Sequence, residues 1–541
     1  MSAANAAKIL APMTSGDLAE KVGVIPMVEL PGDDVRLLDF VLAMSAHLVG
    51  AGLYRRCGEM VLPNLEERRL STMTPEAFCS WSQDYVCTVR KRHDSNGEPF
   101  MVMDDMTTDL SKKVLVSPAF SAAKEIAEVR QVPVPVRAAT GAVELAGPGF
   151  SDGIFTFPFE GGYADMSLQE GVSFIRGLLR EFPFEGVREV SLSDEDGGDG
   201  SVVRQCRSQA VQVAAMLSQF CVGLIPESAS RMGFVFDANS QRSGKTLLAK
   251  LAIMPNSNSF RGQSWKSNDE ELKKLIDAEM RQGANYICFD NVRGKLSSQT
   301  IEGMMTSPEY TGRVLGKTEM FLAKNRASLF FTGNGSFLSP DMAHRCLVCR
   351  LFVPEGDVQE RKVENLIDEP WLANLENRRA ILSSLWAIVR AWHEAGEPKA
   401  SSLGFKPRLG FESWGEIIGG IVGFAGFGDP LEKEVVCDME MRDVLLLVAA
   451  MVRGALGEHA GEFTPGEMVD LCHDEGLFEW MMDGRLVEGS FKLTAKARSS
   501  FGLMLGRYAP NGSSRTYKVG ENVVRFGQKG AGKLKRYFVE F

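Results

Sequence analysis

A chain of 541 residues and 59.3 kDa is too long for one ordinary domain and predicts three or four. Hydrophobic content of 44% against 24% charged residues argues against a disordered chain, and no run of 18 apolar residues suggests a membrane span. The net charge of −10 excludes a protein coated along its length in nucleic acid, yet the sign is uneven: residues 485–541 carry +9 and residues 1–484 carry −19. An acidic body with a basic tail points to one localised nucleic-acid contact.

The start Met1-Ser2-Ala3-Ala4-Asn5 lacks the basic-then-apolar pattern of a signal peptide, and the ten cysteines have no framework spacing. Both features predict a cytoplasmic protein with no membrane partner. Cys346 and Cys349 form the one close pair, and their apolar neighbours spell a buried strand rather than a zinc site.

In chain order, residues 1–130 read as an accessory α+β domain. Helical stretches run from Asp34 to Leu53, Pro75 to Arg92 and Pro118 to Arg130, with short strands such as Glu59-Met60-Val61-Leu62 between them. Residues 131–201 form a connector: Pro-stiffened Val132 to Val136, turns and short strands from Gly147 to Pro158, a helix from Ser167 to Glu181, and the acidic Gly-rich linker from Ser193 to Ser201. From Val202 the pattern changes. A helix over Val202 to Val222 precedes the apolar strand Gly233-Phe234-Val235-Phe236, a helix from Leu247 to Met254, and strands at Tyr286 to Phe289, Ser328 to Phe331 and Cys346 to Phe352. Strands alternating with helices predict an α/β core with a parallel sheet over residues 202–360, and a helical lid is assigned to 361–435.

The strand Phe234-Val235-Phe236 runs into Asp237-Ala238-Asn239-Ser240-Gln241-Arg242-Ser243-Gly244-Lys245-Thr246-Leu247 and then a helix, the order a phosphate loop requires. Backbone N–H groups from Asn239 to Leu247 would hold the phosphates of ATP, Lys245 would neutralise their oxygens, and Thr246 would ligate Mg²⁺. Asn239 stands where the first glycine of that motif belongs, and Asn tolerates positive φ. Asp290, 44 residues beyond Thr246 at a strand end, fits the metal-side carboxylate. Asn291 follows where many ATPases carry a glutamate; either its amide orients the attacking water, or Glu302 or Glu309 supplies the carboxylate. Thr332-Gly333-Asn334 closes the next strand, which puts Asn334 beside the γ-phosphate. Arg345 is a candidate arginine finger, and Arg350 reads as a salt-bridging residue.

Asp290-Asn291-Val292-Arg293-Gly294-Lys295-Leu296, Arg313-Val314-Leu315-Gly316, Thr332-Gly333-Asn334 and Asp341-Met342-Ala343-His344-Arg345 together resemble the AAA+ modules of phage, plasmid and integrative-element primase–helicases. These are relatives of superfamily-three and poxvirus-type helicases. The likeness extends over about residues 130–430, through Pro148-Gly149-Phe150 upstream and Gly410-Phe411-Glu412-Ser413-Trp414 downstream. It implies a P-loop core, a ring, usually a homo-hexamer, that moves on single-stranded or forked DNA with ATP and Mg²⁺, and replication partners. It also implies that the Asp-Asn pair is usual for the group. Members tend to carry two arginines where this chain has His344-Arg345, which places the finger role on Arg345. A β-hairpin over Arg313 to Leu322 would put Lys317 at a tip that touches DNA. Asp104-Asp105 alone is too little for a primase site.

In residues 436–541, helices at Asp443 to Leu456, after Thr464-Pro465, and at Thr494 to Leu505 precede strands Arg515 to Val519 and Lys535 to Val539. This resembles a winged-helix domain whose two late strands form a ribbon, with Lys529, Lys533, Lys535 and Arg536 meeting phosphates. The leading expectation is an ATP-dependent DNA helicase or replication ATPase of a mobile element. An ATP-switched initiator that does not unwind DNA, or a protein-remodelling ATPase, is the alternative.

Overall fold

In the computed structural model, the described residues are 25–541 apart from 186–187, 192–201, 239–241, 267, 293, 315, 317, 335–336, 354–365, 433–438, 456–460, 479–481, 510–511, 513, 520–521, 531–533 and 541. The acidic linker, Asn239, Ser240, Gln241, Lys317 and Lys533 thus lie outside the described residues. Two compact units divide the chain. One comprises Met1–Asn291, Ser298–Asn334 and His344–Glu432; the other comprises Val292–Ser297, Gly335–Ala343 and Lys433–Phe541.

The first unit begins with small sheets and short helices around Phe40, Met44, Phe78 and Phe120. Three expected helices are shorter than their periodicity suggests, the first spanning Leu37–Leu48 rather than Asp34 to Leu53. Thr74 caps the helix Pro75–Ser82, accepting from Ala77 N–H at 3.2 Å, but the chain then enters the strand Cys87–His93. Its β-branched Thr88 and Val89 pair in parallel with Val28 and Glu29, and that partner outweighs local helical preference. Likewise Pro118–Ala122 is a single 3₁₀ turn, after which Glu128–Arg130 pairs in parallel with Ile154–Thr156. The expected helix at Val202 starts later, because Val202–Gln205 pairs with Arg188–Ser191.

Helix α1 (Arg207–Phe220) is buried at every position from Ser208 to Phe220, so polar members must find partners inside. Gln212 Nε2 donates to the Leu248 carbonyl at 3.2 Å. That carbonyl belongs to α2 (Lys245–Ser257), which packs beside α1. Both lean on a five-stranded parallel sheet of β1 (Gly233–Ala238), β2 (Gly262–Ser264), β3 (Tyr286–Val292), β6 (Ser328–Asn334) and β7 (Cys346–Leu351), in the order β2-β3-β6-β1-β7. The core is therefore mixed α/β with a phosphate-loop-like sheet.

Apolar side chains fill both faces, as a parallel sheet covered on both sides requires. Phe234 and Phe236 stack on Phe330 at 5.5 and 6.4 Å, while Phe331 stacks on Phe289 at 5.5 Å. Each such ring contributes on the order of 1.5–3 kcal/mol by leaving water. Strand β2 has only Gly262-Gln263-Ser264, without an apolar residue, and gives no signal in sequence. Its pairing Ser264↔Asp290 nonetheless extends the sheet past the key carboxylate.

Strands β4 (Glu309–Arg313) and β5 (Met320–Lys324) form the expected hairpin, in register from Glu309↔Lys324 to Arg313↔Met320. Helix α3 (Asp269–Gln282) seats it through one carboxylate. Asp277 accepts from Tyr310 Oη at 2.6 Å, Arg313 N–H at 3.2 Å and Lys273 Nζ at 3.2 Å. Burial and that bond push the Tyr310 hydroxyl well above its ordinary value. A Cβ at Gly312 would lie 2.4 Å from the Phe321 ring and 2.7 Å from Asp277, so only glycine fits there.

A helical region follows in which α4 (Leu375–Glu394) buries Ile381, Leu385, Ile388 and Trp392 against the core. Arg378 on α4 donates to the Pro255 carbonyl at 3.1 Å and to Asn258 Oδ1 at 2.6 Å, satisfying the carboxyl end of α2. Among the described residues no helix is long and apolar enough to cross a membrane.

The second unit contains α5 (Met439–Ala455), β8 (Glu462–Phe463), α6 (Pro465–Asp474), β9 (Gly484–Val487), β10 (Ser490–Leu493), α7 (Ala495–Tyr508), β11 (Ser514–Val519), β12 (Asn522–Lys529) and β13 (Arg536–Glu540). Thr464 and Glu467 form a capping box on α6, with bonds of 3.2 and 2.6 Å. The two late strands expected to pair do not. Strand β12, with alternating Val524 and Phe526 buried, inserts between β11 and β13 in the order β8-β13-β12-β11.

Candidate functional site

The registers Asp237↔Gly333 and Ala238↔Asn334 align the carboxyl ends of β1 and β6, and Asp290 ends the neighbouring β3. Open α/β sheets present their ligand crevice at these ends. Here the chain leaves β1 and returns as α2. Arg242 and Gly244 both hold positive φ, 61° and 104°, an arrangement that turns successive backbone N–H groups toward one point. A Cβ at Gly244 would also meet Phe182 at 3.4 Å. No side chain caps the N-terminus of α2. Its first amides, with the positive end of the helix dipole, are therefore available to an anion.

Lys245, the first residue of α2, is only 9% exposed. Burial pushes its ammonium below the usual lysine range, and Asp290 and Asp237 partly restore it. A buried ammonium without a close ion pair among the described residues is costly unless an anion joins it. Ser243 Oγ and Asn334 Oδ1 are also buried without a hydrogen-bond partner among the described residues. The Lys245 ammonium and the Ser243 hydroxyl, both able to donate, suit a phosphate chain at an uncapped helix start, while the Asn334 Oδ1, an acceptor, suits a water.

Asp290 receives two hydroxyls on one oxygen. Thr246 Oγ1 donates to Oδ1 at 3.1 Å and Thr332 Oγ1 at 2.5 Å. The Thr332 hydroxyl in turn accepts the Asn291 N–H at 2.9 Å. Thr246 and Asp290 are thus placed together as hydroxyl and carboxylate, a donor set that suits Mg²⁺, which takes few protein oxygens and keeps its waters. Asn291 itself has φ of 56° and an exposed side chain at the strand end. A left-handed backbone favours Asn over glutamate at that position. Glu309, one alternative base, is ion-paired with Lys324 at 2.9 Å in the hairpin.

Thr332 is the residue that sequence reasoning passed over in favour of Asn334. Its signal was adjacency alone: the inward-facing position two residues before Asn334 on a strand lies over the same neighbour.

Arg345 lies elsewhere. It precedes β7, whose first residue Cys346 pairs with Gly233 at the amino end of β1, whereas Leu351 pairs with Ala238 beside the loop. Six residues of strand separate it from that end, on the order of 20 Å. Arg345 therefore stands away from its own loop, with its Nε buried and without a partner among the described residues. Arg350, by contrast, pairs in register with Asp237. Cys346 and Cys349 are buried cysteines outside any disulfide, with Cys346 pushed up to about 12 by burial. No cluster of three metal-ligating side chains occurs among the described residues.

In the second unit the expected phosphate-binding cations are partly committed. Lys529 is ion-paired with Glu462, Lys535 Nζ lies 4.9 Å from the Tyr537 ring, and Arg536 Nη1 donates to the Lys535 carbonyl at 2.9 Å.

No protein-family model matches the chain, and no curated protein matches it. Among solved structures it is similar to the NrS-1 C-terminal region, at 9% identity and a TM-score of 0.29, over 77% of this chain and 98% of that one. The SCCmec type IV Cch helicase is 11% identical with a TM-score of 0.28, over 84% and 99% of the two chains. The JCV helicase is 14% identical with a TM-score of 0.20, over 48% of this chain and 67% of that one. At these values the assignment of the site rests on its own residues.

Removing the Thr332 hydroxyl tests the bridge. Thr332→Val should lower stability to urea by about 1–3 kcal/mol, because Asp290 loses a donor and the Asn291 N–H loses its acceptor. Thr332→Ser should restore most of that loss; a valine variant as stable as the native protein would contradict the bridging role.

Proposed function

We propose that this protein is a phosphate-loop ATP hydrolase that acts on DNA, as a ring helicase or replication ATPase of a mobile element. The observation that carries the ATPase reading is the convergence of buried Lys245, the uncapped start of α2 and the Thr246–Asp290–Thr332 bridge at the carboxyl ends of three adjacent strands. In this reading the amides from residue 239 to Leu247 cradle the β and γ phosphates, and Lys245 balances their charge. Bound Mg²⁺, held by Thr246 and through water by Asp290, would neutralise charge developing on the phosphate oxygens. Thr332 fixes which oxygen of Asp290 faces the metal side. The Asn291 and Asn334 amides orient the attacking water and the γ-phosphate.

The hairpin carries the DNA reading. Its strands are seated on Asp277, Lys317 falls in the sequence that joins them, and the strand that follows, β6, ends at the site in Thr332 and Asn334. The position of Arg345, about 20 Å from its own loop, supports a ring assembly in which it would act on nucleotide held by a neighbouring copy. In the second unit α5, β8, α6, the β9–β10 hairpin, α7 and strands β11 to β13 follow in turn, with β8 paired to β13; three helices ahead of late strands support reading it as winged-helix-like, with the hairpin as an addition to that order.

A second reading, an ATP-switched initiator, is favoured by one observation: the residue after Asp290 is an amide, not a carboxylate. Such a site holds ATP longer than it turns it over.

Two measurements separate these readings. ATP hydrolysis by the full chain should rise about tenfold or more with single-stranded DNA, and a forked duplex should be unwound; hydrolysis indifferent to DNA would remove the helicase reading. Arg345→Ala should bind ATP without hydrolysing it, and mixing it with Lys245→Ala subunits should recover activity. No recovery at any mixing ratio would remove the action between copies.

A further inference from the structure

We infer that the β9–β10 hairpin is a duplex-DNA contact that grips the phosphate backbone with Arg485 and Lys492. The inference rests on the DNA-acting reading above but uses residues outside every contact assigned so far.

Strands β9 and β10 pair in the register Gly484↔Leu493, Arg485↔Lys492, Leu486↔Phe491 and Val487↔Ser490. Glu488 and Gly489 form the turn, both at positive φ (50° and 81°), the tight type I′ geometry that suits strand twist. Arg485 and Lys492 are therefore directly opposite, with Cβ atoms about 5 Å apart, where two like charges repel. Both are exposed, and neither has an ion pair or side-chain hydrogen bond among the described residues. Arg453, Arg525 and Lys529 have acidic partners in Glu475, Glu540 and Glu462. The acids of the hairpin sit elsewhere on it, Glu488 in the turn and Asp483 at the base under Thr494, so Arg485 and Lys492 face each other without one.

The hairpin is also held rigidly. The Phe491 ring stacks on His473 of α6 at 4.3 Å, and Phe491 N–H donates to Asp470 Oδ1 at 2.6 Å. At the base, Thr494 N–H donates to the Asp483 carbonyl at 2.9 Å, and Thr494 Oγ1 donates to Asp483 Oδ2 at 3.1 Å. Two cations on a fixed ribbon lose little freedom on meeting an anion. Their spacing suits the oxygens of one phosphate or of two successive ones.

The geometry favours nucleic acid over an anionic membrane. Strand alternation puts Arg485 and Lys492 on one face, while Leu486, 62% exposed, shares the opposite face with Phe491, which packs on α6. Val487, 37% exposed, shares the cation face, but one valine adds only on the order of 1.5–3 kcal/mol on full burial and Leu486 faces away from it, whereas a phosphate backbone needs only the cations. Contacts of this kind position a duplex without reading its sequence.

The test is fluorescence anisotropy with the full chain and a labelled duplex over a series of salt concentrations. The double variant Arg485→Gln/Lys492→Gln should bind at least tenfold more weakly at low salt. Its log–log salt slope should fall by about 1.8, the loss of two phosphate contacts. The charge-keeping pair Arg485→Lys/Lys492→Arg should bind as the native chain does, which separates lost charge from lost folding. Native affinity and slope in the glutamine variant would overturn the hairpin assignment alone. A native chain that binds no DNA would overturn both it and the DNA-acting reading. Loss of binding to phosphatidylserine vesicles, with duplex binding intact, would assign the hairpin to membranes instead.

Discussion

One carboxylate organises the candidate site. Asp290 takes hydroxyl hydrogens from Thr246 at the start of α2 and from Thr332 on β6, so one oxygen joins three adjacent elements. The two strands are already neighbours in the sheet, but the loop helix packs on them through apolar side chains, which set spacing but not the direction of polar groups. Thr332 extends the junction by accepting the backbone N–H of Asn291, which fixes a left-handed residue at the end of β3. Such local strain persists only where surrounding bonds determine it.

The same logic recurs at the hairpin. Asp277 gathers Tyr310, Arg313 and Lys273 as Asp290 gathers its two threonines, and Gly312 leaves the space for the aromatic ring of Phe321. From Lys324 the chain runs three residues to β6 and along it to Thr332 and Asn334. The hairpin and the site are thus joined by one short connection and one buried strand.

Much of the core was legible in sequence because it is periodic. Phe234, Phe236, Phe289, Phe330 and Phe331 mark buried strands, and Ser243-Gly244-Lys245-Thr246 follows one of them directly. Local pattern failed where a partner distant in sequence decided the outcome. Thr88-Val89 became strand by pairing with Val28-Glu29, and Gly262-Gln263-Ser264 joined the sheet through backbone bonds alone. Thr332 was missed because a hydroxyl beside a glycine carries no signal until Asp290 is seen across the sheet. The late strands of the second unit were found, but their partner was not: β12 lies between them, and register is a property of pairs.

The central claim is that Lys245, Thr246 and Asp290 form a Mg²⁺-nucleotide site. Equilibrium binding of a fluorescent ATP analogue to the full chain, with and without Mg²⁺, tests it most directly. The native protein should bind far more tightly with Mg²⁺, and Lys245→Ala should lose about 10- to 100-fold in affinity, the worth of a charge-assisted contact. Equal binding by native and Lys245→Ala proteins, or binding indifferent to Mg²⁺, would contradict the account.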